Sequence, residues 1–335
     1  MIYGRELPGR PYNLKAKLTR CIIWGQRNLF SRIHPVAGVC PINHSLGVDE
    51  ANRLISRLLE SNRPCMVARF GSGELEATMR GFCCDESGNV FAKSLRMLTG
   101  ESGPFWWDNS IVAGLCWVAG FFPPEPNMLM RFSRLMRDDA GQLDLLGSWT
   151  DGERKLQKAC FPTSNICLIG ELNPFFASEP WTRSLRGKKV LLVHPFVDTI
   201  RAQYARREKL FANPDILPDF ELLTYRSVSS FGGIQTKFEN WFDALEKMKS
   251  DIAKLDFDVA IIGCGAYGFP LAAFIKRELR RKAVHLGGMT QVLFGIKGKR
   301  WERTEIARLY NASWVRPLGS ETVETAQKIE GGAYW

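Results

Sequence analysis

The residues best suited to chemistry lie in a glycine-rich turn, Arg69-Phe-Gly-Ser-Gly-Glu74. Gly71 and Gly73 lack side chains and let the backbone approach a ligand. Arg69 offers a planar fork of N–H groups that suits phosphate, and Glu74 could hold a divalent cation or take a proton. The turn therefore predicts a site for an anionic substrate. A structural Arg69–Glu74 ion pair at the start of a helix is the alternative.

A second glycine turn runs from Gly263 to Gly268 with the spacing G-x-G-x-x-G. Missing side chains permit a tight bend there, and backbone N–H groups and the following helix N-terminus can approach a phosphate. Gly263, Gly265, Tyr267 and Gly268 are therefore candidate nucleotide-binding residues. A turn kept only for close helix–strand packing is the alternative, and other strand ends must decide between the two.

The dinucleotide form of this motif needs a carboxylate after the next strand, to bind the ribose. The strand predicted at 282–286 instead contains His285 near its end and continues into Gly287 and Gly288. This difference argues against NAD. An oxidoreductase or a methyltransferase of Rossmann type, binding NAD(P) or S-adenosylmethionine, is therefore the less favoured interpretation.

The elements that must position these residues alternate between strand and helix. Short apolar runs predict strands at 64–70, 166–169, 188–193, 220–225, 259–262 and 282–286. Helical spacing predicts helices at 48–61, from about residue 75, and at 129–146, 199–211 and 237–253. The alternation predicts an α/β fold, with a Rossmann-like, mainly parallel sheet flanked by helices.

Polar residues follow several of the predicted strands. Glu171, His194 and Asp198 come after strand ends, and His285 closes the strand that follows the second glycine turn. Ligands in open α/β sheets bind outside the carboxyl ends of strands. We therefore expect these residues to meet both glycine turns at one edge of the sheet, which favours a ligand site over glycine turns that serve packing alone.

Charge is concentrated at one end of the 335-residue chain. The formal net charge is +10, and residues 1–45 supply +6 of it, as seven Lys or Arg minus Glu6. Residues 12–33 predict a basic amphipathic helix, which could rest on an anionic membrane leaflet or pack on the protein. The remaining residues, 46–335, are predicted to form one Rossmann-like domain. Their mild charge disfavours a nucleic-acid-coating protein.

Cysteine usage and hydropathy indicate the compartment. The nine cysteines are odd in number and include no C-x-x-C pair, so neither a zinc ribbon nor a thioredoxin-type site is indicated. Several lie in apolar runs and are expected to be reduced, which indicates the cytoplasm. The sequence also lacks a run of about 18 apolar residues and an apolar signal core.

Four stretches taken together carry a family resemblance: the Arg69 turn, residues 188–198, the Gly263 turn, and HLGGMTQVLFGIKGKRW at 285–301. In these the chain resembles the bacterial GT-D type glycosyltransferases, which are encoded with polysaccharide and surface-glycan assembly systems. The resemblance covers about residues 48–335, including the ending GGAYW. It implies a Rossmann-like domain that takes a sugar from a nucleotide-diphosphate donor.

The resemblance also raises the question of whether the protein requires a divalent metal. The family's first motif is Arg-Phe-Gly-Asp-Gly-Glu, and its Asp-x-Glu pair is associated with a divalent metal. Here Glu74 matches but Ser72 stands in the Asp position. Ser72 could bind a phosphate oxygen or be a weak Mg²⁺ ligand, so Mn²⁺ or Mg²⁺ dependence stays open.

The implied reaction leaves negative charge on the nucleoside diphosphate, which Arg69 and the glycine-turn amides would stabilise. Glu74, His194 or Asp198 could accept the proton of the acceptor hydroxyl, and spacing does not choose among them. His285 is counted with the nucleotide-binding candidates. The expected partners are a nucleotide-sugar and a glycan or lipid-linked glycan, at the inner face of the bacterial cytoplasmic membrane. A catalytically degenerate scaffold of a polysaccharide assembly complex, binding nucleotide or glycan, is the alternative.

Overall fold

The computed structural model describes residues 46–99, 101–150 and 152–335. The basic arm 1–45, with its predicted amphipathic helix, lies outside the described residues. The strands are β1 Cys65–Ala68, β2 Leu145–Ser148, β3 Asn165–Leu168, β4 Lys189–His194, β5 Glu221–Arg226, β6 Val259–Ile262 and β7 Lys282–His285.

All seven strands belong to one sheet in the order β3-β2-β1-β7-β6-β4-β5, and every pairing is parallel. The prediction of a Rossmann-like α/β fold is confirmed. Because all strands run the same way, their carboxyl ends lie along one edge. The central pair, β1 and β7, joins residues far apart in sequence and places the ends of both strands side by side.

Helices cover both faces of the sheet. They are α1 Val48–Glu60, α2 Ser72–Asp85, α3 Val90–Leu98, α4 Asn109–Ala113, α5 Pro126–Ala140, α6 Glu153–Cys160, α7 Val197–Tyr204, α8 Trp241–Ile252, α9 Gly268–Arg277 and α10 Met289–Leu293. A five-residue π-helix, Gly114–Val118, continues α4. None of the described helices is long and apolar enough to cross a membrane.

Alternation along the strands produces two apolar layers. In β4, Leu191 and Val193 face the layer that contains α2, α5, α8 and α9. Val190 and Leu192 face the opposite layer with α1, α7 and α10. This two-sided burial explains why the strands are apolar throughout, as expected of a parallel sheet covered by helices on both faces.

The helix predicted at 129–146 is wrong in its second part. Helix α5 ends at Ala140, a turn follows through Gly141, and Leu145–Ser148 forms β2. The strand pairs with β1 on one side and β3 on the other, so its four residues are all buried. Pairing with distant segments, and not the local helical spacing, determines the conformation of this stretch.

Candidate functional site

Both glycine turns open into one cavity of about 370 Å³ at the carboxyl edge of β1, β7, β6 and β4. The size lies within the range of small-molecule sites. Phe70, from the first turn, stacks on Phe269 at the start of α9 with ring centroids 4.4 Å apart. This contact holds the two turns together although about 190 residues separate them.

Arg69 directly follows the end of β1 and lines the cavity. Its guanidinium stands 5.1 Å from the Trp149 ring centroid, and its buried Nε has no hydrogen-bond partner. Burial lowers the pKa of Arg69, while the nearby Glu74 charge acts to raise it. In the described part of the chain Arg69 makes no salt bridge, so the predicted structural ion pair with Glu74 is not formed.

The carboxylate of Glu74 curls back over the turn. A Cβ atom built on Gly71 would lie 1.8 Å from Glu74 Oε2, so the missing side chain makes room for the carboxylate. Burial raises the pKa of Glu74, and the neighbouring Arg69 charge acts to lower it. Ser72 and Gly73 begin α2 beside it and also line the cavity. The first-turn N–H groups of a helix lack intrahelical partners and can face an anion.

The second glycine turn is built around close backbone approaches. Gly265 has φ +58°, and a Cβ there would lie 2.8 Å from the Ala119 carbonyl oxygen. A Cβ on Gly263 would lie 2.6 Å from the Gly287 carbonyl oxygen, and one on Gly268 would lie 2.2 Å from His285 Cε1. Packing therefore explains all three glycines. Gly263 and Gly265 also line the cavity, whereas Gly268 does not.

Tyr267 does not line the cavity. Its ring is buried and stacks on Trp241 with centroids 4.9 Å apart, and its hydroxyl lies 3.2 Å from Ser230 Oγ. The predicted contact with nucleotide would need a rearrangement of this packing, so the position of Tyr267 supports a role in the core.

The two histidines lie in the cavity wall as neutral rings with opposite tautomers. His194 Nδ1 accepts a hydrogen bond from the Phe196 N–H at 3.0 Å, which leaves the proton on Nε2. His285 Nδ1 lies 3.1 Å from the Ile262 carbonyl oxygen, which requires the proton on Nδ1. Burial lowers the pKa of each to about 3. His194 can therefore donate to a ligand, and the free lone pair of His285 is on Nε2.

Asp198 lies outside the cavity lining. Its carboxylate accepts a hydrogen bond from Arg226 at 2.6 Å and is half exposed. The buried Glu321 carboxylate lies between α7 and the cavity, and accepts hydrogen bonds from the N–H groups of Asp198 and Thr199 at 2.8 and 3.1 Å. The catalytic role of Asp198 stays a prediction, but the residue is occupied by an ion pair at the start of α7.

Several cavity residues were missed by reasoning from the sequence. Arg300 forms a salt bridge with Glu330 and donates to the Tyr334 hydroxyl at 3.0 Å. Trp149 lies below Arg69 and donates its indole N–H to the Phe70 carbonyl at 2.9 Å. The only sequence signal was indirect, since Arg300 lies in the run 285–301 and Tyr334 in the ending GGAYW.

The donor atoms for a metal are few. Among the described residues, no cluster of three or more His, Cys, Asp or Glu side chains could hold an ion. The negative charge of Glu330 acts to raise the pKa of Glu74, but Glu330 is already paired with Arg300. Within the part of the chain that the structure describes, a cation would therefore need oxygens from a ligand to complete its coordination.

Comparison of the chain with protein family models, with curated proteins and with solved structures finds no match in any of the three. The resemblance to GT-D type glycosyltransferases thus stays a prediction.

Proposed function

We propose that this protein is a glycosyltransferase that moves a sugar from a nucleotide-diphosphate donor to a glycan or lipid-linked glycan acceptor in bacterial polysaccharide biosynthesis. The observation that supports it most directly is Arg69, a cation that forms no salt bridge within residues 46–99, 101–150 and 152–335 and whose buried Nε has no partner where the two glycine turns meet. A buried charge without a partner is costly. A diphosphate in the cavity would supply the partner that the described residues do not provide.

The chemistry of the transfer fits this position. When the anomeric C–O bond breaks, the electron pair stays on the departing diphosphate oxygen. A guanidinium already oriented by Trp149 and by the packing of Gly287, whose Cβ position lies 3.0 Å from Arg69 Nη1, can stabilise that charge without reorganising. Ser72 and Gly73, at the start of α2, line the same cavity, and the N–H groups of a helix N-terminus can bind an anion.

Among the three candidates for the base, the geometry favours Glu74. His194 carries its proton on Nε2 and keeps its Nδ1 lone pair in a hydrogen bond to Phe196, so it is a donor at neutral pH. Asp198 is paired with Arg226 and does not line the cavity. Glu74 lines the cavity, forms no salt bridge in the described chain, and has a pKa raised by burial, as suits a general base. If a divalent ion binds with the donor, Glu74 and phosphate oxygens would hold it, and Glu74 would then act as a metal ligand instead of the base.

The test is a donor screen on the full chain. Thermal-shift and turnover measurements with common nucleotide-sugars and nucleoside diphosphates should show stabilisation and release of nucleoside diphosphate. Glu74→Gln should keep donor binding and lower turnover by about 10²- to 10⁴-fold, the usual contribution of a general base. Glu179→Gln is a matched control, because Glu179 is half exposed on the surface in an i,i+4 pair with Arg183.

Two outcomes would count against the proposal. Without stabilisation or product release from any donor, the transferase proposal is refuted. Donor binding without turnover, unchanged by Glu74→Gln, would favour the scaffold of a polysaccharide assembly complex instead.

A further inference from the structure

A second cavity, of about 360 Å³, lies next to the first along the carboxyl edge of the sheet. The two cavities share Arg69, Trp149, Gly288 and Arg300 as a common wall. The far wall of the second cavity is the turn that follows β3, from Ile169 to Asn173. The proposed donor reaction leaves this second cavity unassigned.

The charged side chains that line the second cavity are both positive. Its lining includes two guanidinium groups, Arg69 and Arg300, and no carboxylate among the described residues. Glu330, which pairs with Arg300, lines only the first cavity. An anionic group therefore suits the second cavity, whereas the first cavity combines cations with carboxylates.

Trp149 gives the second cavity a flat apolar surface. The side chain is 40% exposed although it is large and aromatic. It is nevertheless fixed, because its indole N–H is bonded to the Phe70 carbonyl and its backbone N–H to the buried Glu153 carboxylate at 3.1 Å. A rigid exposed indole is a stacking surface for a sugar ring or another flat ligand.

The far wall is held rigidly as well. The buried Asn52 amide donates to the carbonyls of Glu171 and Asn173 at 3.1 and 3.3 Å, and Trp181 donates its indole N–H to the Leu172 carbonyl. Glu171 accepts a hydrogen bond from the Leu168 N–H at 2.6 Å. This turn after β3 is thus positioned before any ligand arrives, as expected of a binding site.

We propose that the second cavity is the acceptor subsite and binds a phosphorylated sugar, with the ring on Trp149 and the phosphate beside Arg69 and Arg300. The assignment as acceptor rests on the proposed transferase function. In the transfer, the acceptor oxygen bonds to the anomeric carbon as the bond to the diphosphate breaks. The acceptor hydroxyl extends past the shared wall into the first cavity, where its proton goes to Glu74, and the leaving electron pair goes to the diphosphate.

Two glycines allow the two cavities to be blocked separately, and a third serves as a control. A Cβ atom on Gly114, Gly170 or Gly319 would meet no atom within 4 Å, and none of the three has a positive φ. Gly114 lines only the first cavity and Gly170 only the second, while Gly319 is exposed and lines neither. Gly114→Phe, Gly170→Phe and Gly319→Phe are therefore a matched set.

Binding is measured by saturation-transfer NMR with glucose 1-phosphate, glucose and inorganic phosphate, and by calorimetry with nucleoside diphosphates. Gly170→Phe should weaken the binding of glucose 1-phosphate at least tenfold and leave the binding of nucleoside diphosphates unchanged. Gly114→Phe should do the reverse, and Gly319→Phe should change neither. A short prenyl-diphosphate sugar, compared with glucose 1-phosphate, distinguishes a lipid-linked source of the phosphorylated sugar from a free one.

The proposal is overturned if glucose 1-phosphate does not bind, or if Gly170→Phe leaves its affinity unchanged. It is also overturned if Gly170→Phe abolishes nucleoside diphosphate binding, since the cavity would then hold part of the donor. Asn173→Trp, at the opposite end of the same turn, serves as a second blocking variant if Gly170→Phe does not fold. If the wild type does not bind nucleoside diphosphate, only the transferase proposal is refuted. The measurement with glucose 1-phosphate still tests whether the second cavity binds a phosphorylated sugar.

Discussion

Replacing Arg69 by methionine should stabilise the free protein and weaken donor binding at the same time. Arg69 makes no salt bridge in the described chain, its Nε is buried without a partner, and burial lowers its pKa. An unsatisfied buried polar group costs about 1–3 kcal/mol. The stacking of Arg69 on Trp149, which the variant loses, is worth about 0.5–1 kcal/mol.

The expected net gain in unfolding free energy of the ligand-free protein is therefore about 1 kcal/mol. For a domain of this size such a gain corresponds to a rise in Tm of about 2 °C. An increase in stability would be informative, because most substitutions of partly buried residues destabilise the folded protein.

Donor binding should change in the opposite direction. A hydrogen bond to a charged group contributes about 1.5–3 kcal/mol, and each 1.4 kcal/mol corresponds to a tenfold change in affinity. Arg69→Met should thus weaken nucleoside diphosphate binding by about 10- to 150-fold. Calorimetric titration measures the affinity, and differential scanning calorimetry of the ligand-free protein measures the stability.

Arg186→Met is the matched control. Arg186 has a side chain that is 60% exposed and pairs with Asp215 at 2.8 Å, away from both cavities. It should leave donor affinity unchanged and alter stability by no more than the 0–1 kcal/mol of a surface pair. If Arg69→Met destabilises the free protein, or binds nucleoside diphosphate as well as the wild type does, the argument from an unpaired cation is refuted.

Two further predictions concern the histidines and the first turn. Because burial lowers the pKa of His194 to about 3 from an ordinary 6.5, the unfolded chain takes up a proton between these values that the folded protein does not. His194 alone should therefore lower stability as pH drops from 6.5 to 3, by up to about 1.4 kcal/mol per pH unit. His194→Asn should flatten that slope in urea titrations, and an unchanged slope would contradict the buried neutral ring. Gly71→Ala, whose Cβ would lie 1.8 Å from Glu74 Oε2, should displace that carboxylate and lower kcat about 100-fold with little change in Tm. Gly319→Ala is its control, and equal kcat values for the two variants would exclude the position of Glu74 as a determinant of turnover.

Local sequence was sufficient for the parts of the fold that a few consecutive residues determine. Strand β6, at Val259–Ile262, and the glycine turn after it were predicted with correct bounds, because a short β-branched run favours extended backbone and closely spaced glycines permit a tight bend. A mainly parallel sheet also followed from the strand–helix alternation, and in the structure every pairing is parallel. Strand β2 was missed, because Leu145–Ser148 becomes a strand only through its partners β1 and β3.

The same distinction holds for the site. The types of residue in the Arg69 turn and at the strand ends indicated an anion site from sequence alone. The sequence could not show that Arg69 forms no salt bridge with the other described residues, that His194 and His285 carry their protons on different nitrogens, or that Asp198 is not part of the cavity lining. It also could not show that Arg300 and Tyr334 enter the cavity. These properties depend on burial and on hydrogen bonds between segments that pairing of β1 with β7 brings together, and contacts over more than 200 residues leave no local pattern in the chain.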